Sequence, residues 1–176
     1  MSHTAHRETI AARDHGAHVR VATDRDASDI ASIYNHYVDI GGATFDNDHW
    51  TTDQVIELLN GRKPTCWLVA VDEDVVIGWS SACPFSHRYG YRFSCETAIY
   101  LTPASLGRGV GDALQVRLEQ HCRECGIHHA VARIIADNER SMAFHRRYGY
   151  ELVGIQKEIG HMNDQWADVA ILQKIF

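Results

Sequence analysis

Nowhere in the 176 residues do 18 consecutive apolar side chains occur, and the first 18 residues lack the apolar stretch of a signal peptide. A soluble, cytoplasmic protein with no membrane partner is the expectation. A surplus of positive charge is missing as well: 17 Lys plus Arg face 23 Asp plus Glu, a formal net charge of −6 at pH 7. Affinity for nucleic acid rests on clustered Lys and Arg neutralising phosphates, so this balance argues against a nucleic-acid partner. Nor is there a cysteine framework. Cys66, Cys83, Cys95, Cys122 and Cys125 make an odd number scattered mostly through apolar runs, which reads as reduced, buried thiols. Cys122 and Cys125 have zinc-ligand spacing beside His121, His128 and His129, yet they fall on the apolar face of a predicted helix and no second cysteine pair follows. No metal is assigned. What is left is a globular composition, 45% hydrophobic and 23% charged, in a length that buries roughly 70% of the unfolded surface as one domain.

Residues 1–18 are polar, hold four of the twelve His and show no periodicity, so they are expected to be a mobile extension, with a single domain over 19–176. Val19 to Ala22 reads as a short strand, followed by capping side chains at Thr23, Asp24 and Asp26. Ala27, Ile30, Ala31, Ile33, Tyr34 and Val38 then recur at helical spacing until Gly41 and Gly42. Thr51 to Leu59 predicts a second helix, capped by Thr51 or Thr52. The β-rich runs Trp67 to Val71 and Val75 to Pro84, joined by Asp72-Glu73-Asp74, predict an antiparallel hairpin, and Phe93 to Leu101 a third strand. From Val110 an amphipathic helix, with Cys122 and Cys125 on its apolar face, runs to Gly126. Ala130 to Ala136 is an apolar strand interrupted only by Arg133; Ser141 to Tyr148 is a short helix; Tyr150 to Ile155 and Ala167 to Ile175 complete the strands. This order predicts a mixed sheet flanked by helices, in the α/β or α+β class.

Gly107, Gly109 and Gly111 cluster between a strand and an amphipathic helix. Glycines let successive backbone amides approach a ligand, and a helix N-terminus adds about half a positive charge, a combination suited to a phosphate or pyrophosphate; a plain glycine-rich connection is the alternative. A Walker loop needs Gly-Lys-Ser/Thr where Gly111 is followed by Asp112, and a dinucleotide fingerprint needs Gly-x-Gly-x-x-Gly rather than this Gly-x-Gly-x-Gly, so both are ruled out.

The strand Cys95-Glu96-Thr97-Ala98-Ile99-Tyr100-Leu101, the turn Leu106-Gly107-Arg108-Gly109-Val110-Gly111, and the later Asn138-Glu139-Arg140-Ser141 and His145-Arg146-Arg147-Tyr148-Gly149-Tyr150 resemble the GCN5-related N-acetyltransferase (GNAT) family. Ile33-Tyr34-Asn35, Thr44-Phe45, Glu96 and the late Trp166-x-Asp168 resemble its phosphinothricin acetyltransferase branch, and the match covers residues 19–176. The resemblance implies a mostly antiparallel central sheet, acetyl-CoA as co-substrate, a small amino-acid-like amine as acceptor, and a homodimer. The amides of Gly107, Arg108, Gly109, Val110, Gly111 and Asp112 would hold the pyrophosphate, and Ile99, Tyr100 and Leu101 would pair with the pantetheine like an added strand. Asn138 would bond near the pantetheine or the amine. Leu106 departs from the family's usual Gln or Arg and removes one polar side chain near the pyrophosphate.

Acetyl transfer needs a deprotonated amine and a protonated leaving thiol. Glu96, the only charge between Phe93 and Leu101, is the candidate base; an acid in an apolar strand is costly to bury unpaired, and a solvent-facing strand residue is the alternative reading. His145 stands where many family members carry the tyrosine acid, with simple packing as its alternative and Tyr148 or Tyr100 as other donors. Ser86, His87, Arg88 and Tyr91 lie in the segment that implies substrate binding by resemblance. Arg88 suits a carboxylate or phosphinate, although it and Arg92 also read as an ordinary exposed loop. Phe45 and Trp166 would wall the pocket or a dimer seam, or simply pack in the core. Other amines, among them a protein N-terminus, a polyamine or an antibiotic, and a non-catalytic acetyl-CoA sensor are the competing readings. Residues 102–148 hold seven Arg against five acids, so the segment proposed for a triply phosphorylated ligand is locally basic in an acidic chain.

Overall fold

The computed structural model describes residues 17–61 and 65–176. Residues 1–16 of the expected extension lie outside the described residues; His18, assigned to that extension from sequence, instead begins the first strand, β1 (His18–Val21).

Asp26 shapes the entry into the first helix, α1 (Ala27–Ile40). Its carboxylate takes both Arg20 guanidinium nitrogens at 2.7 Å, the Thr23 amide at 2.8 Å and the Thr23 hydroxyl at 3.0 Å. Those donors, led by Arg20, hold its pKa down to about 2 although the carboxyl is buried. The predicted second helix, α2 (Thr52–Leu59), carries a reciprocal cap between Thr51 and Gln54. β2 (Cys66–Asp72) and β3 (Val75–Pro84) form the predicted hairpin. Its turn is Glu73-Asp74, both at positive φ, the backbone that a tight two-residue loop demands.

Then follow β4 (Ser94–Leu101), α3 (Val110–Glu124), β5 (His129–Ile135), α4 (Glu139–Arg147), β6 (Glu151–Met162) and β7 (Gln165–Ile175). The seven strands lie in the order β1-β2-β3-β4-β5-β7-β6, antiparallel except for β4 against β5. That is the expected mixed, mostly antiparallel α/β sheet. Leu114, Leu118 and Cys122 of α3 pack with Leu68, Ala70 and Leu172 on one face, while Ile30, Ile33 and Tyr34 of α1 pack with Trp67, Val69 and Trp79 on the other. Each fully buried Leu or Ile contributes about 1.5–3 kcal/mol. No helix among the described residues is long and apolar enough to cross a membrane.

Two features differ from the sequence reading. Cys125 is exposed just past the end of α3, its sulfur 3.3 Å from His121 Nε2, whereas Cys122 is buried. And β6 continues to Met162, past the expected Ile155, through a bulge between Gln156 and Gly160. Asp168 of β7 clasps that bulge, accepting from the Glu158 amide at 2.9 Å and from Lys157 Nζ at 2.6 Å.

Candidate active site

β4 and β5 are paired only from Ser94 to Glu96 and from His129 to Val131; beyond that they part. The Thr102 amide bonds back to Ile77, so strand alternation turns the backbone of Ile99 and Leu101 to the edge that β5 has left, and that of Tyr100 toward β3. Tyr100 therefore offers no backbone partner to an added strand. Its ring packs 4.8 Å from Trp79 and its hydroxyl donates to the Ala43 carbonyl. The Leu101 carbonyl already accepts from Tyr37 at 2.7 Å, which leaves the Ile99 groups and the Leu101 amide as the free edge.

At the C-terminal end of β4 the chain turns into α3. Gly107 has φ +75° and Gly109, the residue before the helix, φ +82°, and a Cβ on Gly107 would meet open space. The first α3 bond runs from the Ala113 amide to the Gly109 carbonyl, so Val110, Gly111 and Asp112 amides have no partner within the helix. Gly111 serves packing: a Cβ there would touch the Phe144 ring at 3.4 Å. Arg108 pairs with Asp72 at 3.2 Å, both partly exposed, a bond weak enough to be given up to a phosphate. Asp112 accepts from Arg147 and from the Tyr148 hydroxyl, which offsets its charge beside this anion cradle. Leu106 is partly exposed and adds no polar group.

Where the strands part stands Glu96. Its two oxygens accept from Arg133 Nε at 2.6 Å and Nη2 at 2.7 Å, a bidentate pair whose Glu96 side chain is 30% exposed and Arg133 side chain 59% exposed. This hydrogen bonding holds the guanidinium pKa above its usual value. Arg133 was missed as a partner in the sequence reading. The available signal was that each is the lone charge of an apolar strand and that the two are opposite in sign.

Several expected contacts are occupied by the fold itself. His145 is 5% exposed; its Nδ1 donates to the Ser141 carbonyl at 2.8 Å and burial lowers its pKa, so the ring is neutral with Nε2 unprotonated. The one proton of that ring is therefore bonded to the Ser141 carbonyl at rest. Tyr148 donates to Asp112 at 2.6 Å, and burial pushes its pKa up. Asn138 caps α4 through the Ser141 amide and turns its amide nitrogen to the Gly42 carbonyl at 3.5 Å, rather than into the cleft. Phe45 lies on Gly160 of β6, where a Cβ would fall within 3.0 Å of three ring carbons. Ala43, Thr44 and Phe45 thereby form a strap from α1 past β4 to β6. Trp166 is 65% exposed, against His161.

The segment from Ser86 to Tyr91 leaves the sheet where the Phe85 amide bonds the Ser94 carbonyl, at the closed end of the split. His87, Arg88 and Tyr91 are exposed; Ser86 Oγ accepts from the Arg88 amide, and Tyr91 packs edge-on to Phe85. Arg92 stacks on Tyr89 and Phe93. Among the described residues no three His, Cys, Asp or Glu side chains converge for a metal.

The chain is similar to known proteins. The family described as an acetyltransferase (GNAT) domain matches residues 19–171. A phosphinothricin N-acetyltransferase of Streptomyces coelicolor is 30% identical over 166 residues, covering 86% of this chain and 92% of the relative. An L-methionine sulfoximine/L-methionine sulfone acetyltransferase of Salmonella typhimurium is 30% identical over 157 residues, 88% of this chain and 92% of its own. Among solved structures, a phosphinothricin acetyltransferase of Sinorhizobium meliloti in complex with acetyl-CoA aligns with a TM-score of 0.85 at 33% identity, over 92% of this chain and 89% of that one.

Proposed function

This chain belongs to the GNAT acetyltransferase family, and from that premise we propose that it moves the acetyl group of acetyl-CoA to the α-amino group of a small amino acid of the phosphinothricin, methionine sulfoximine or methionine sulfone kind. The observation that carries the reading is the split between β4 and β5, with the Val110, Gly111 and Asp112 amides free of helical partners at one end and the part-exposed Glu96–Arg133 pair at the other. The relatives acting on such amino acids support the acceptor class.

Acetyl-CoA supplies an activated acyl group on a thiol leaving group. The Gly107 and Gly109 to Asp112 amides, with the Arg108 side chain released from Asp72, would hold its pyrophosphate, the Arg108 amide being bonded to the Ser105 carbonyl, and the edge groups of Ile99 and Leu101 would bond its pantetheine arm. Glu96 takes the proton of the substrate ammonium, directly or through a water, as the amine nitrogen forms its bond to the acyl carbon and the carbon–sulfur bond breaks. The His145, Tyr148 and Tyr100 protons are each committed to a protein acceptor, so the second proton of the attacking nitrogen passes through water to the departing thiolate, giving the free thiol, and Glu96 returns its own proton to solvent. Arg88 takes the side-chain oxygens of the acceptor, a phosphinate, sulfone or sulfoximine.

A thiol-release assay over a panel of these amino acids tests the proposal. Release with at least one, lost by more than about a hundredfold in Glu96→Gln, is the expected result. Full activity in Glu96→Gln removes the base, an unchanged acceptor KM in Arg88→Ala removes that contact, and silence with every acceptor while acetyl-CoA still binds leaves the sensor reading. The chain is also proposed to form a homodimer, since Val153, Ile155, Ile159 and Trp166 expose apolar surface on the edge strand β6 and its neighbour. Sedimentation equilibrium at a monomer mass would end that proposal.

A further inference from the structure

The Glu96–Arg133 pair is an unusual resting state for a base. Both carboxylate oxygens face one guanidinium, so neither is turned to an amine. The pair sits where β4 and β5 part, on the sheet face opposite α3: Ala132 and Ile134, which flank Arg133, point into the α3 core, and Ile171 of β7 stands opposite Arg133 in register. It is also open, with more than half of the Arg133 side chain exposed.

We propose that Arg133 is the receptor for the α-carboxylate of the acceptor, and that the substrate enters by exchanging partners with the resting pair: its ammonium replaces the guanidinium at Glu96 while its carboxylate replaces Glu96 at the guanidinium. This rests on the acetyltransferase reading above and narrows it to amino acids with a free α-acid. The physical reason is charge balance. Opening a bidentate ion pair leaves two charges uncompensated unless the incomer brings both opposite charges, adjacent to each other. A zwitterionic α-amino acid does so. A polyamine brings only cations, and a peptide N-terminus has its carboxylate far from its amine, so each leaves Arg133 unpaired or leaves Glu96 held by it. The planar fork of Arg133, already set for two parallel bonds to a carboxylate, receives the α-acid without reorganisation. Once Glu96 faces the ammonium, the proton passes from the nitrogen to its oxygen, and the freed lone pair attacks as described above. Selection and activation are then one event: the base is uncovered only by a molecule that carries the acid.

The test compares methionine sulfone with its α-carboxamide as acceptors, by thiol release, in the parent chain, Arg133→Gln and Arg133→Lys. The carboxamide has the less basic amine, hence more neutral amine at pH 7, so a slower reaction cannot be attributed to protonation. In the parent chain kcat/KM should favour the acid by on the order of a hundredfold, mostly through KM. Arg133→Gln should bring the acid-to-amide ratio to near one, and Arg133→Lys should keep an intermediate ratio, a pattern that loss of structure would not produce. Equal kcat/KM for acid and amide in the parent chain overturns the exchange while leaving the acetyltransferase reading in place, as does an unchanged ratio in Arg133→Gln. No thiol from either acceptor, or from the rest of the panel, overturns the acetyltransferase reading and the exchange with it.

Discussion

The strap that runs from α1 past the mouth of the cleft meets β6 through Phe45 on Gly160, and that contact predicts a specific failure of additivity. Gly160 is not in the left-handed region, so alanine there meets no backbone objection; the nearest obstacle is the Phe45 ring, three of whose carbons would lie within 3.0 Å of the new Cβ. Relieving that overlap in Gly160→Ala means moving the ring out of its seat, at about 2 kcal/mol. Phe45→Ala alone removes a half-buried ring, about half of what a fully buried Phe would cost, again about 2 kcal/mol. The two losses are the same loss. With the ring gone, the added methyl group fits the vacated space, so the double variant should be within about 0.5 kcal/mol of Phe45→Ala, against about 4 kcal/mol if the sites were independent. At roughly 2–4 °C per kcal/mol for a chain of this size, each single variant lowers Tm by about 6 °C and the double by about the same. Urea denaturation of the four chains, with amide exchange at Thr44 and Asp46 reporting strap opening, measures the cycle. A double variant that loses the sum of the single losses refutes the docking argument.

Two further outcomes follow from titrating groups. The folded pKa of Asp26, about 2, lies below its unfolded 3.8, so its contribution of about 2 kcal/mol is complete above pH 4 or so and disappears as pH falls through 2; Asp26→Asn should therefore be less stable at pH 7 and equal to the parent near pH 2, and a gap constant across that range in urea titrations refutes it. Burial lowers the His145 pKa, so below about pH 6.5 the unfolded chain binds a proton that the folded one refuses and stability falls; in His145→Gln the drop in Tm between pH 6.5 and 5 should shrink, and identical slopes rule out this source.

The elements were legible because their signals are local. Thr51 with Gln54, the apolar spacing of α1 and α3, and the acidic hairpin turn each act within a few residues. The far half of β6 was not, because an edge strand exposed along nearly its whole length carries no alternation of apolar and polar side chains, and the bulge clasped by Asp168 breaks the period besides. The resting partners of three expected site residues were illegible for a related reason. His145, Tyr148 and Asn138 stand at motif positions, but what each bonds at rest depends on the carbonyl or carboxylate the fold sets beside it, and Ser141, Asp112 and Gly42 are those neighbours.

Glu96 and Arg133 are the instructive pair, since each is the single charge in an otherwise apolar strand and the two are 37 residues apart. Read alone, Glu96 demands a partner or solvent, because an unpaired carboxylate in an apolar strand is costly. Only parallel pairing of β4 with β5, with Glu96 beside Val131, sets Arg133 two positions further on the same face and supplies that partner from inside the sheet. The parallel pairing ends at the same place, so the pair forms where the sheet stops being a sheet. A charge couple deeper in the paired region would be fixed by packing, and one farther along the divergent strands would be too far apart to close. Its position at the fork is what makes it both formed at rest and open to exchange.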